Sequence, residues 1–216
     1  MVALQSNYRD ILPGERVILY NISWSEFEDL LQEFDEHPGT RLAYDNGQLE
    51  IMVPLPEHED AKEIISDLIK VLLEELDIEF RALGSTTFKK LGIKGLEPDQ
   101  CFYIEHEAEI RGKKRLDLTV DPPPDLAIEI EVTSRTHPEI YAALGVPELW
   151  RFTKGTLQIN ILENGQYREV AESPTFPGLL LAEVLANCLA QSNLEGRNHA
   201  VKEFRHWIRE REQLGC

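Results

Sequence analysis

The chain has 216 residues, 42% apolar and 28% charged, a composition that suits one globular domain with a real core and excludes a low-complexity chain. Twenty-two Lys and Arg against 39 Asp and Glu leave a net charge of −17, which argues against tight, sequence-blind binding of nucleic acid over a broad surface. Phosphate chemistry stays open, because a metal site needs its own carboxylates and a local basic rim can still guide phosphate. Cys101, Cys188 and Cys216 are odd in number, widely spaced and not in CxxC pairs. That pattern argues against a disulfide framework or a zinc site and fits a reducing cytoplasm.

Residues 1–20 carry Arg9, Asp10, Glu15 and Arg16 without a long apolar run, so they read as an N-terminal arm and not a signal peptide. Ser23 and Glu26 have capping-box spacing, and Trp24, Phe27, Leu30, Leu31 and Phe34 recur at helical intervals. His37, Pro38 and Gly39 end this helix. A hairpin follows over 41–53, turning at Asp45, Asn46 and Gly47, with Glu50 expected as an exposed cross-strand partner. A long helix is predicted over 57–76, with Ala61, Ile65, Leu68, Leu72 and Leu76 along one stripe.

Short strands are predicted at 78–83, 85–89, 99–104 and 126–132. A helix over 138–144 leads to a strand at 149–152 and a hairpin of 157–162 and 167–170 that turns at Asn164 and Gly165. Helices over 179–191 and 195–212 close the chain. The stretch 178–190 is too short for a membrane span and contains Glu183. This order predicts an α/β fold, a mixed sheet flanked by helices with an N-terminal hairpin and C-terminal helices. The expected organisation is an arm (1–20), one α/β domain (21–193) and a C-terminal helix (194–216) that packs on the domain or on a dimer partner.

Residues 122–132 are the most informative. Side chains alternate on a strand, so Leu126, Ile128, Ile130 and Val132 point into a core, while Asp125, Ala127, Glu129 and Glu131 point the other way. Neighbours on that face lie roughly 6–7 Å apart. Aligned carboxylates repel, and in a half-buried setting a divalent cation relieves the repulsion. Oxygen-only ligands favour Mg²⁺ or Mn²⁺ over zinc. The plain alternative is an amphipathic strand with a wet face, but the strand sits between two other strand-like segments and reads as central. Pro98 fixes the start of a neighbouring strand and places Asp99 at its first position.

Pro98 and Asp99, followed by Glu129-x-Glu131, resemble the PD-(D/E)xK nuclease pattern. More closely, residues 49–58, 84–87, 95–99, 122–129 and 140–150 are similar to the Uma-two family of restriction-type endonucleases, over nearly the whole chain. The resemblance implies a restriction-endonuclease-like core, phosphodiester hydrolysis of DNA, and Mg²⁺ or Mn²⁺ held by Asp99, Glu129 and the backbone carbonyl of residue 130. Glu131 stands where that pattern keeps a lysine. A glutamate cannot supply positive charge, but as a catalytic residue it can ligate metal or act as a base. Arg135 and His137 are the nearest basic groups, and Lys89, Lys90 and Lys94 precede Asp99.

Further candidates carry weaker signals. Asp125 reads as a strand-start or supporting residue. His58 reads as a first-turn polar residue that the resemblance turns toward the site, and Glu63 as a solvated position or a helix-borne acid. Arg111, Lys113 and Lys114 form a basic cluster that either touches nucleic acid or simply marks a turn. Tyr141 and Trp150 read as core or subunit contacts. The expectation is a metal-dependent DNA endonuclease, acting as a homodimer with one site per strand. The competing expectations are a non-catalytic binding or regulatory module that kept the fold, and a metal enzyme acting on another substrate.

Overall fold

A computed structural model describes residues 11–34, 39–84, 86–90, 92–131 and 137–213, with side chains as far as Arg211. In chain order the elements are β1 (Arg16–Leu19), α1 (Trp24–Phe34), β2 (Arg41–Asp45), β3 (Gln48–Met52) and α2 (Pro56–Glu75). Then come β4 (Arg81–Ala82), β5 (Phe88–Lys90), β6 (Lys94–Leu96), β7 (Gln100–Tyr103), α3 (Glu107–Ile110) and β8 (Leu126–Glu131). The chain continues through α4 (Pro138–Leu144), β9 (Glu148–Thr153), β10 (Thr156–Glu163), β11 (Gln166–Val170), α5 (Leu181–Glu195) and α6 (Arg197–Gln213).

Among the described residues the strands form two sheets, ordered β1-β3-β2-β6-β5 and β11-β10-β9-β8-β7-β4. The second is mixed: β8 runs parallel to β9 and antiparallel to β7. The fold is therefore the expected mixed α/β arrangement, with the strands divided between two sheets.

Alternation along β8 sorts its side chains as the sequence predicts. Ile128 and Ile130 join Leu68, Trp150, Leu185 and Phe204 in the core beneath α2, α5 and α6. Ala127 joins Cys101, Tyr103, Ile140, Tyr141 and Leu149 on the opposite face, under α4. A third cluster packs Phe27 and Leu30 of α1 on Leu42, Tyr44, Leu49 and Ile51 of the smaller sheet. Gly95 of β6 permits that packing, since a Cβ there would lie 2.8 Å from the Phe27 ring.

The capping box holds: the Ser23 N–H donates to Glu26 Oε2 at 2.8 Å and the Glu26 N–H to Ser23 Oγ at 3.3 Å. The first hairpin turns where Asn46 and Gly47 both take positive φ. Gly145, at φ 84°, ends α4 with its N–H on Tyr141 O and Ala142 O. Other boundaries differ from expectation. The strand predicted at 78–83 contracts to β4, because the Ile78 N–H is spent on Leu73 O at the end of α2. Residues 16–19 of the arm are a paired edge strand on β3. β6 and α3 are too short to show a period. The predicted helix end at His37 and Pro38, and residues Ser85, Val132 and Arg135, lie outside the described residues.

Candidate active site

A cavity of about 50 Å³ opens between the two sheets. The smaller sheet contributes Arg41, Glu50 and Met52; the larger contributes Glu129; His137 and Tyr141 come from α4 and the residue before it. Asp99 reaches the cavity from the residue before β7.

Asp99 is 3% exposed. Its Oδ2 accepts the backbone N–H of Ile130 at 2.8 Å, which ties the start of β7 to the middle of β8. The same oxygen lies 3.0 Å from His58 Nε2. His58 is buried at the start of α2, where Pro56 sets the first helical turn. Burial opposes charge on its ring, but the hydrogen bond and charge of Asp99 outweigh that and hold its pKa above the usual histidine value. Arg41 Nε stands 3.7 Å from Asp99 Oδ1.

Glu129 accepts a hydrogen bond from the Tyr141 hydroxyl. Burial, and next the negative charge of Asp99, push its pKa well above the usual carboxylate range; Tyr141 and Arg41 pull the other way. The Tyr141 hydroxyl is in turn pushed up by burial and by Glu129. Of the four carboxylates that line the cavity, Glu50, Glu97, Asp99 and Glu129, the pair Asp99 and Glu129 resist ionising together, as like charges at close range must.

Glu131 lies two residues on but in different company. Its Oε1 accepts Arg151 Nε and Nη2 at 2.9 and 2.8 Å, and its Oε2 accepts the Thr153 hydroxyl at 2.7 Å. Asp125 sits at the start of β8, outside the cavity lining, and accepts the backbone N–H groups of Ile104 and His106. His137 lines the cavity with Nε2 at 3.3 Å from Glu50 Oε2. Its pKa is raised, first by that hydrogen bond, against the opposing effect of burial. Glu63 has a 64% exposed side chain near Lys62, on the wet face of α2. Lys89 pairs with Glu28 at 3.3 Å, on the far side of β5 from the cavity lining. Arg111 donates to Glu107 and Lys113 to Asp121, so two members of the basic cluster are matched by acids; Lys114 is exposed.

Tyr141, Arg41 and Glu50 are among the lining residues that were not singled out for this site by sequence. Tyr141 read as core; its ring is indeed buried, but its hydroxyl serves Glu129. Arg41 opens a hairpin strand, where a charged residue usually meets water. Glu50, expected to be exposed, is 6% exposed, because β1 and His137 cover it; Arg16 Nη1 lies 3.7 Å away and His137 Nε2 3.3 Å away. Only contacts made across the two sheets distinguish such positions from surface ones.

The donor chemistry fits a hard cation. Asp99 and Glu129 would supply oxygen ligands, and Mg²⁺ is commonly held by one or two carboxylates with water and substrate completing its shell. Among the described residues, no group of three His, Cys, Asp or Glu stands close enough to form a fully protein-made metal cage.

The model of the Uma2 family, described as "Putative restriction endonuclease", matches residues 24–190. The chain belongs to the Uma2 family. A crystal structure of a putative nuclease belonging to DUF820 from Anabaena variabilis is similar at a TM-score of 0.47 and 16% identity, covering 82% of this chain and 98% of that one. No curated protein matches the chain. Among the described residues, no helix is long and apolar enough to cross a membrane.

Proposed function

We propose that this chain is a Mg²⁺- or Mn²⁺-dependent endonuclease that hydrolyses DNA phosphodiester bonds at the Asp99–Glu129 site. The observation that carries the reading is the placement of the Asp99 and Glu129 carboxylates in one cavity, Asp99 tied to the Ile130 N–H and Glu129 to the Tyr141 hydroxyl. A divalent cation removes the conflict between the two carboxylates and replaces a proton on Glu129. When bound, such a cation supplies a water of lowered pKa and neutralises charge developing on the phosphate.

The chain's own residues divide the remaining work. Asp99 and Glu129 hold the cation. His58 and the Ile130 N–H fix the Asp99 carboxylate in one rotamer. Tyr141 orients Glu129. Glu131 acts next to the site by holding Arg151 and Thr153, and His137 with Glu50 forms the opposite wall. Arg111, Lys113 and Lys114 are the candidate contacts to a nucleic-acid backbone. The protein works in the cytoplasm as a homodimer, with one site for each strand. Glu131 in place of the pattern's lysine favours a second reading, a binding or regulatory module that kept the fold without turnover.

Plasmid nicking in Mn²⁺ tests the proposal. Asp99→Ala and Glu129→Ala are each expected to lower nicking by more than about 100-fold and to abolish Mn²⁺ binding measured by calorimetry. Metal binding without nicking favours the second reading. A wild-type chain that neither binds Mn²⁺ nor nicks between pH 6 and pH 9 overturns the catalytic one.

A further inference from the structure

A nuclease site needs positive charge on the phosphate, and β8 offers Glu131 where that charge is expected. Nearby cations of the described residues are committed elsewhere. Lys62 donates to Glu59, Lys89 to Glu28, Lys94 pairs with Asp45, and Arg151 is held by Glu131.

Arg41 differs from all of these. It lines the cavity together with Asp99 and Glu129. Its side chain is 12% exposed, and its Nε is buried with no hydrogen-bond acceptor among the described residues. Two carboxylate oxygens stand off from it: Asp99 Oδ1 at 3.7 Å from Nε and Glu59 Oε1 at 3.5 Å from Nη2. Those distances hold the guanidinium by charge while leaving its Nε–H unspent among the described residues. A buried donor without an acceptor destabilises a fold, so its persistence points to an acceptor brought by a ligand. Guanidinium is planar, permanently charged and matched to phosphate oxygens.

We infer that Arg41 is the phosphate-binding cation of the site: its guanidinium takes a non-bridging oxygen of the nucleic-acid phosphate beside Asp99 and Glu129. It supplies from β2 the charge that a lysine on β8 would otherwise supply. The inference rests on the nuclease reading. Its placement explains how the Glu131 position tolerates a carboxylate, because the positive charge comes from the other sheet.

Arg41→Met, Arg41→Gln and Arg41→Lys, each checked for folding by circular dichroism, test it through three readouts. These are nicking in Mn²⁺, Mn²⁺ affinity by calorimetry, and the salt dependence of duplex binding in Ca²⁺, with DNA and RNA duplexes as separate arms. Arg41→Met is expected to keep Mn²⁺ affinity, lose about 100-fold or more in nicking, and lower the slope of log affinity against log salt by about one. Arg41→Lys should keep the slope and part of the rate. Wild-type nicking and slope in Arg41→Met overturn the inference, as does loss of Mn²⁺ binding along with nicking, which would make Arg41 a support for Asp99. If Arg41→Met does not fold, Arg41→Gln decides: full nicking overturns the inference, and a defect restored in Arg41→Lys supports it. If the wild type binds duplex but does not nick, the nuclease reading fails separately. The salt slope of Arg41→Met then still decides whether Arg41 holds a phosphate, and an unchanged slope overturns it.

Discussion

Two carboxylates on the polar face of β8 and the residue before it, Asp125 and Glu129, differ in character. Asp125, at the start, accepts the Ile104 N–H at 2.6 Å, the His106 N–H at 3.1 Å and the His106 ring. Glu129, four residues on, has the Tyr141 hydroxyl and the Asp99 backbone N–H, and it faces the charge of Asp99. Among the described residues Asp125 accepts three hydrogen bonds, and Glu129 two beside a like charge. A buried carboxylate saturated with donors stabilises the fold, while one beside a second carboxylate is ready for a cation. The supply of donors and the neighbouring charge, not the presence of an acid, separate the structural position from the chemical one.

The largest effect should come from breaking the Asp125 contacts. Asp125→Ala leaves two backbone N–H groups without their acceptor, and urea unfolding should show a loss of about 3 kcal/mol. Nicking per folded molecule should survive, and a loss equal to that of Asp99→Ala would collapse the contrast. At Glu129 the sign reverses. Because the folded-state pKa of Glu129 is raised, its stabilising contribution is present below the unfolded carboxylate pKa and is lost as pH rises through the folded value. Glu129→Gln should therefore melt above the wild type at neutral pH in chelator, with the difference shrinking on acidification. A lower melting temperature for Glu129→Gln at pH 8 would mean that the carboxylate is satisfied after all.

The smallest effect concerns His106. The hydrogen bond to Asp125, ahead of the opposing effect of burial, raises its pKa. That contribution is full below the ordinary histidine value and is lost as pH rises through the folded one. With its side chain 38% exposed, the pair should be worth less than about 1 kcal/mol. An NMR titration of the His106 ring should move toward the ordinary value in Asp125→Asn, and an unmoved titration would remove His106 from the Asp125 contacts.

Much of the fold was legible in local pattern. Ser23 and Glu26 announced α1, Asn46-Gly47 and Asn164-Gly165 marked hairpins, and the stripe from Ala61 to Leu72 marked α2. Alternation over 126–131 correctly divided Ile128 and Ile130 from Ala127 and Glu129. These signals are short-range consequences of helical and extended geometry, so a single chain displays them. Short elements such as β6 and α3 escaped, because three or four residues cannot show a period.

Sequence by itself determined that β8 carries a row of acids, that Asp99 stands just before the strand beside it, and that Glu131 holds a position where positive charge is usual. Tertiary structure alone decided which acids matter together. It set Asp99 against the Ile130 N–H and His58, gave Asp125 and Glu131 their own partners, and put Glu129 beside the charge of Asp99. It also carried Arg41 and Glu50 from the other sheet into the same cavity. The reason is physical: a side chain's identity is local, but its burial and its partners are supplied by segments far away in the chain, and those fix its charge.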